Sequence, residues 1–334
     1  MIKLSVALPQ DANIHELMRL AKIAECEGYS SIFVTDEGLS RNSYVVLASC
    51  ALATKRISLG TGVTNPYIIN PVITAAAMAT VDELSGGRVF IGLGAGSLWY
   101  LEMFGLHQRK VLSTLDRTVD ILRRLFNGEH ITTKLSNFKL QNVKLAFPSR
   151  KIPIYIGGRG PKILRLAGKI ADGVIAGGGL VSGNKIGYVM HNVEEGAKEA
   201  GRDIDTIDIV LWAFCSIADE NSIARAPLRP LIAEIIHGIS DSVLSEIGIK
   251  SEPVKNIRMM HDYVNTNLYK EQQSSVSDEI LDKFCIAGTP KYCLKKIREL
   301  VRAGVRHLAI LPIENPQKRF EAIIRQFHDL ACEI

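Results

Sequence analysis

The six cysteines in 334 residues form no Cys-x-x-Cys pair, so neither a zinc-ribbon spacing nor a dithiol redox motif is present, and free thiols in a reducing compartment are expected. The eight histidines fall into no His-Glu-x-x-His or other close ligand spacing, and no metal site is expected. No apolar run reaches the roughly 18 residues that a bilayer-crossing helix requires. The opening MIKLSVALPQ lacks the basic, apolar and small-residue succession of a signal peptide. A cytoplasmic protein with no membrane partner is therefore expected. Lys and Arg outnumber Asp and Glu by only 40 to 35 and are scattered rather than clustered, which argues against a nucleic-acid partner. Low-complexity tracts and short internal repeats are missing as well.

What is present is a large apolar fraction, 47% of residues, enough to bury a substantial core. Short β-branched runs recur at 3–8, 31–35, 57–63, 88–93, 152–157, 173–177, 207–217 and 306–312. Their apolar character is nearly continuous, as in parallel strands covered on one side by helices and on the other by packed side chains. Helical spacing fills the intervals. Ile14, Leu17, Met18 and Ala21 share one face behind Asn13 as an N-cap, with Glu16 three residues later, and Thr289-Pro290 opens a helix that stops at Gly304. Another helix is expected over 111–127. Eight strand–helix units favour a closed (β/α)8 TIM barrel over an open doubly wound sheet. Two long connections read as insertions into one domain spanning 1–334: a hairpin over 129–150 and a mostly helical segment over 218–284.

In such a barrel the chemistry lies at the C-terminal ends of the strands. Here those ends are rich in glycine: Gly60-Thr61-Gly62-Val63-Thr64-Asn65-Pro66, Gly92-Leu93-Gly94-Ala95-Gly96-Ser97, Gly157-Gly158-Arg159-Gly160-Pro161 and Gly177-Gly178-Gly179. One such loop is an ordinary tight turn; four in succession point to a flat or phosphorylated ligand approached closely by backbone. A dinucleotide fingerprint is rejected, because the Gly-x-Gly-x-Gly follows the fourth strand and Ser97 stands where the third glycine of that fingerprint belongs. Asp36 and Glu37, adjacent carboxylates after the second strand, are the candidate catalytic pair for polarising a substrate or holding a proton. Cys215 reads as core, since nothing near it in sequence activates a thiolate.

Taken as a set, these segments resemble the bacterial-luciferase-like superfamily, and within it the coenzyme F420-dependent reductases typified by methylenetetrahydromethanopterin reductase. The resemblance runs over Thr35-Asp36, G-T-G-V-T-N-P-Y at 60–67, D-E-L-S-G-G-R at 82–88, G-L-G-A-G at 92–96, I-Y-I-G-G at 154–158, A-D-G-V at 171–174 and A-G-T-P at 287–290. It implies a cis peptide at Gly62–Val63 backing a deazaflavin ring. It implies contacts from Asp36, Thr64, Asn65 and Ser97 to that cofactor, and a phosphate cradle from Gly157, Gly158, Gly160, Gly177 and Gly178. It further implies hydride transfer to a small-molecule substrate, a cover over that substrate from 218–284, and a homodimer formed through helices near strands two and three. Many relatives carry His where this chain has Glu37, which changes the proton inventory at the ring. An FMN-dependent two-component monooxygenase and a non-catalytic flavin-binding protein are the alternative readings.

Overall fold

In the computed structural model, residues 2–9, 11–36, 38–135, 138–177, 180–246, 248–249 and 276–334 are described. The strands are β1 Lys3–Ala7, β2 Ser31–Val34, β3 Ser58–Thr61, β4 Val89–Leu93, β5 Ile131–Lys134, β6 Lys139–Val143, β7 Ile154–Gly158, β8 Gly173–Gly177, β9 Asp208–Ile217, β10 Cys285–Gly288 and β11 His307–Pro312. The helices that position the site are α1 Ile14–Cys26, α2 Ser43–Ala53, α3 Pro71–Ser85, α4 Leu98–Met103, α5 Val111–Phe126 and α6 Pro161–Ile170.

The chain forms two compact units, with boundaries falling inside β1, β8, the helix Gly183–Glu199 and β9. In the unit built from Ser5–Ile175 and His191–Ile209, the order is β1-β2-β3-β4-β7-β8. Its ladders are parallel, with Val6 opposite Ile32, Phe33 opposite Gly60, and Gly92 opposite Tyr155. The interior is filled by rings: Phe33 meets Phe90 edge-on at 4.9 Å and Phe90 lies 5.1 Å from Tyr155. Gly60 has no side chain because the Phe90 ring occupies that space. In the unit built from Met1–Leu4, Ala176–Met190 and Val210–Ile334, β9 pairs in parallel with β11 and β10, and β11 neighbours β1. With the β8–β9 pairing, the strand order is that of a (β/α)8 TIM barrel.

All eight strands expected from the sequence are present, each within two residues of its expected ends, and β10 is an addition. Its run Cys285-Ile286-Ala287-Gly288 follows the helix Asp278–Phe284 with no turn residue between them, so the sequence carries no punctuation there. Capping follows the local rules. Asn13 Oδ1 accepts from Glu16 N–H at 3.0 Å and Thr289 Oγ1 accepts from Tyr292 N–H at 3.3 Å. Glu16 pairs with Arg19 one turn on, at 2.7 Å. β5 and β6 form an antiparallel hairpin. Within 218–284, helices cover Asn221–Arg225, Leu228–His237, Asp241–Glu246 and Asp278–Phe284, while 247 and 250–275 lie outside the described residues. Among the described residues no helix is long and apolar enough to cross a membrane.

Candidate active site

The geometry of interest lies in the first of these units, where β2, β3, β4 and β7 end. β3 stops at Thr61, and the Gly62–Val63 peptide bond that follows is cis, as the sequence resemblance implied. Thr64 then rejoins β4: its N–H donates to Gly92 O at 2.9 Å and its carbonyl accepts from Gly94 N–H at 2.8 Å. Two glycines seat the Val63 side chain. A β-carbon on Gly94 would stand 2.5 Å from Val63 Cγ2, and one on Gly157 would stand 2.8 Å from Val63 Cγ1. The isopropyl group is thus wedged between the ends of β4 and β7, and any residue larger than glycine displaces it.

Asp36 lies two residues beyond β2 and is 9% exposed. Burial pushes its carboxyl above the ordinary range, while the nearby Thr64 and Ser43 hydroxyls act in the opposite sense. The Ser43 contact falls short of a hydrogen bond. Both Ser43 Oγ and Asp36 Oδ2 are buried without a hydrogen-bond partner among the described residues. A buried carboxylate oxygen in this state costs free energy unless a ligand or a proton meets it. Ser43 and Tyr44 reach the site because Asn42 caps α2, its Oδ1 accepting from Tyr44 and Val45 N–H at 3.1 and 3.2 Å. Tyr44 Oη lies 3.2 Å from Thr64 Oγ1 and 3.1 Å from Thr74 Oγ1. Its phenol is pushed up to about 12, first by burial and further by the Asp36 charge, so it stays protonated at neutral pH.

Other expected residues are placed with distinct local tasks. Asn65 is 3% exposed and its Oδ1 accepts from Tyr67 and Ile68 N–H at 3.1 and 3.0 Å. Gly96 takes φ +76°, and a β-carbon there would press on the Asn65 carboxamide at 3.1 Å. Ser97 is exposed at the head of α4 and makes no cap bond. Gly157 and Gly158 end β7, and Gly158 also admits Ile163 of α6. Gly160 caps α6 through its backbone only, its carbonyl accepting from Ile163 and Leu164 N–H at 3.1 Å each, and with Pro161 lacking an N–H the Lys162 amide is the first-turn donor left for an anion. Arg159, between them, is partly buried, and desolvation lowers its guanidinium from the ordinary value; it remains a cation at neutral pH. Gly177 belongs to the other unit, where it packs on Trp212. Glu37 and Gly178 lie outside the described residues. Cys215 is fully buried, and burial, with Cys293 and Cys285 adding to it, raises its thiol, in keeping with a core role.

Strand-end reasoning missed Ser43, Tyr44 and Thr74, which sit on helices. The signal for the first two was Asn42, an N-cap placed soon after β2. Among the described residues no cluster of three His, Cys, Asp or Glu side chains is arranged to hold a metal.

Residues 1–307 match the family described as luciferase-like monooxygenase. A 5,10-methylenetetrahydromethanopterin reductase of Archaeoglobus fulgidus is 34% identical over 319 residues, covering 95% of this chain and 96% of the relative. An F420-dependent glucose-6-phosphate dehydrogenase of Nocardia farcinica is 28% identical, covering 91% and 90%. The solved structure of a coenzyme F420-dependent tetrahydromethanopterin reductase from Methanopyrus kandleri superposes with a TM-score of 0.85 at 27% identity, covering 98% of this chain and 97% of that one. By sequence and by fold, the chain belongs to the luciferase-like family.

Proposed function

We propose that this chain is a coenzyme F420-dependent oxidoreductase that moves hydride between the deazaflavin and a carbon centre of a small organic substrate. The observation that carries this reading is the wall at the end of β3, where Val63 is wedged between Gly94 and Gly157 at the same strand ends that carry the unpartnered Asp36 oxygen. The relatives named above supply the cofactor class, and the Archaeoglobus fulgidus reductase makes methylenetetrahydromethanopterin the first substrate to try.

When bound, the deazaflavin supplies a hydride at its C5 position and no oxygen chemistry. The chain's own residues then orient, exclude and balance charge. Val63 backs the ring. Asp36 Oδ2 accepts a hydrogen bond or holds a proton beside it, and Thr64, the Asn65 amide and Ser97 supply polar contacts. Gly157, Gly158 and Gly160 bring backbone amides and the N-terminus of α6 to the phosphate, with Arg159 as a nearby cation; a phosphate contact from Gly177 and Gly178 is carried by the family resemblance alone. Glu37 is assigned to the catalytic pair on sequence grounds alone.

Homodimerisation is part of the proposal. α2 is apolar on nearly every side, and Val45 and Leu52 on it, with Ile73 on α3, are 60%, 70% and 59% exposed. Such a patch on packed helices suits a second copy of the chain. A cytoplasmic location fits six free thiols.

The test is an anaerobic assay in which reduced F420 and methylenetetrahydromethanopterin are mixed with the protein and reoxidation is followed by absorbance. Protein-dependent, oxygen-independent reoxidation is expected. Failure with this pterin and with a panel of alcohols, combined with oxygen uptake on reduced FMN, would reverse the reading in favour of a monooxygenase.

A further inference from the structure

We infer that the Gln108–Arg109 dipeptide is a strap that sets the loops after β3 and β4 relative to one another, making Gln108 and Tyr67 positioning residues for the cofactor wall. The strap lies in the connection between α4 and α5. Gln108 spends both hydrogens of its amide nitrogen on this task, donating to Ala95 O and Gly96 O at 2.9 Å each. The next carbonyl, Arg109 O, accepts from Tyr67 Oη at 3.0 Å and from Thr114 Oγ1 at 3.1 Å. Tyr67 is 1% exposed and belongs to the loop after β3, where its own N–H donates to Asn65 Oδ1. Asn65 in turn abuts Gly96, completing a circuit of contacts: Asn65, Tyr67, Arg109, Gln108, Gly96 and back to Asn65.

The circuit has an anchor. Thr114 lies in the first turns of α5, a helix of 16 residues whose Leu115, Val119 and Leu122 are buried in the core. Lys110, at the head of that helix, adopts φ +51°, so the chain turns sharply from the strap into α5. Directional bonds from the strap, itself tied to α5 through Thr114 Oγ1, thus reach the carbonyls of one loop and the phenol of the other. A site needs such support because first-line groups are held to a fraction of an ångström only by the residues behind them. The inference rests on the reading that the loops at 62–65 and 94–97 hold the cofactor.

Two variants and two measurements separate the possibilities. Gln108→Met keeps the length and removes both donors; Tyr67→Phe removes one hydroxyl. Amide hydrogen exchange on the full-length protein without cofactor should rise in both the 62–69 and 93–98 segments in either variant, with α5 unchanged. F420 titration at a temperature where each variant is fully folded should show affinity weakened about tenfold by Gln108→Met. The double variant should be little worse than that single one, because both act on one strap. Exchange that rises only within 104–110 would overturn the inference, as would unchanged F420 affinity in a folded Gln108→Met. If the unsubstituted protein fails to bind F420, the functional reading falls, and the exchange pattern alone still decides whether the strap exists.

Discussion

At Asp36, burial and incomplete hydrogen bonding act on the same carboxyl. Its folded-state pKa is raised, so its contribution to stability is fully present below the ordinary value of 3.8 and is lost as pH rises through the raised one. Asp36→Asn removes the charge and keeps the shape. The variant should be more stable than the parent at neutral pH by about 1 kcal/mol, with the gap closing as pH falls toward 4. Turnover should fall roughly ten- to a hundredfold, the loss expected for one charge-assisted hydrogen bond at the ring. Denaturant titrations at the two pH values, together with initial rates, check both parts, and a variant that is less stable at neutral pH contradicts the account. Asp36, Val63 and Thr64 were legible in the sequence because they sit at strand ends, where a barrel puts its chemistry, and because their motif resembles a known one. Tyr44 and Gln108 were not. Which way a helical or loop side chain points depends on neighbours from distant segments, and no local pattern encodes that.

Elements at the opposite ends of the strands carry polar clamps that tie helices to strands. Ahead of β3, Glu25 Oε1 at the end of α1 accepts three backbone N–H groups, from Lys55, Arg56 and Ile57, at 2.9, 2.6 and 2.9 Å. Arg88, just ahead of β4, donates to the carbonyls of Ser85, Ile57, Ala51 and Thr54 and to Thr54 Oγ1. The D-E-L-S-G-G-R segment thus serves as a structural clamp. Desolvation pushes the Glu25 carboxyl up, but the three N–H bonds and the Arg56 charge outweigh it, and its pKa is lowered. The resulting stabilisation is present above the ordinary value and is lost as pH falls through the lowered one. Glu25→Gln should destabilise the protein by about 1–2 kcal/mol at neutral pH, with the difference shrinking below the ordinary carboxylate range of 4.5 and cofactor affinity unchanged. Equal stability of variant and parent at neutral pH would contradict this. Strands and helices of this kind were read well from apolar periodicity and caps. β10 escaped because a four-residue run joined to a preceding helix offers neither period nor punctuation.

On the scale of the whole molecule, two properties follow from the proposal. The first is assembly. Leu52→Glu combined with Ile73→Glu should convert a dimer to a monomer in light scattering, with the secondary structure retained, because charge placed on an apolar patch that association would bury opposes association; a parent protein already monomeric at high concentration would contradict it. The barrel itself was legible because eight nearly continuous apolar runs alternating with amphipathic helices leave few topologies open. The assembly was less so, since exposure on α2 is a property of the folded surface. The second property is cofactor choice, and it bears on everything above. The most direct measurement is a parallel titration of the purified protein with F420 and FMN, each oxidised and reduced, followed by absorbance and fluorescence. The account predicts saturable F420 binding well below the concentration at which FMN binds. Preferential binding of reduced FMN, or binding of neither, would contradict it.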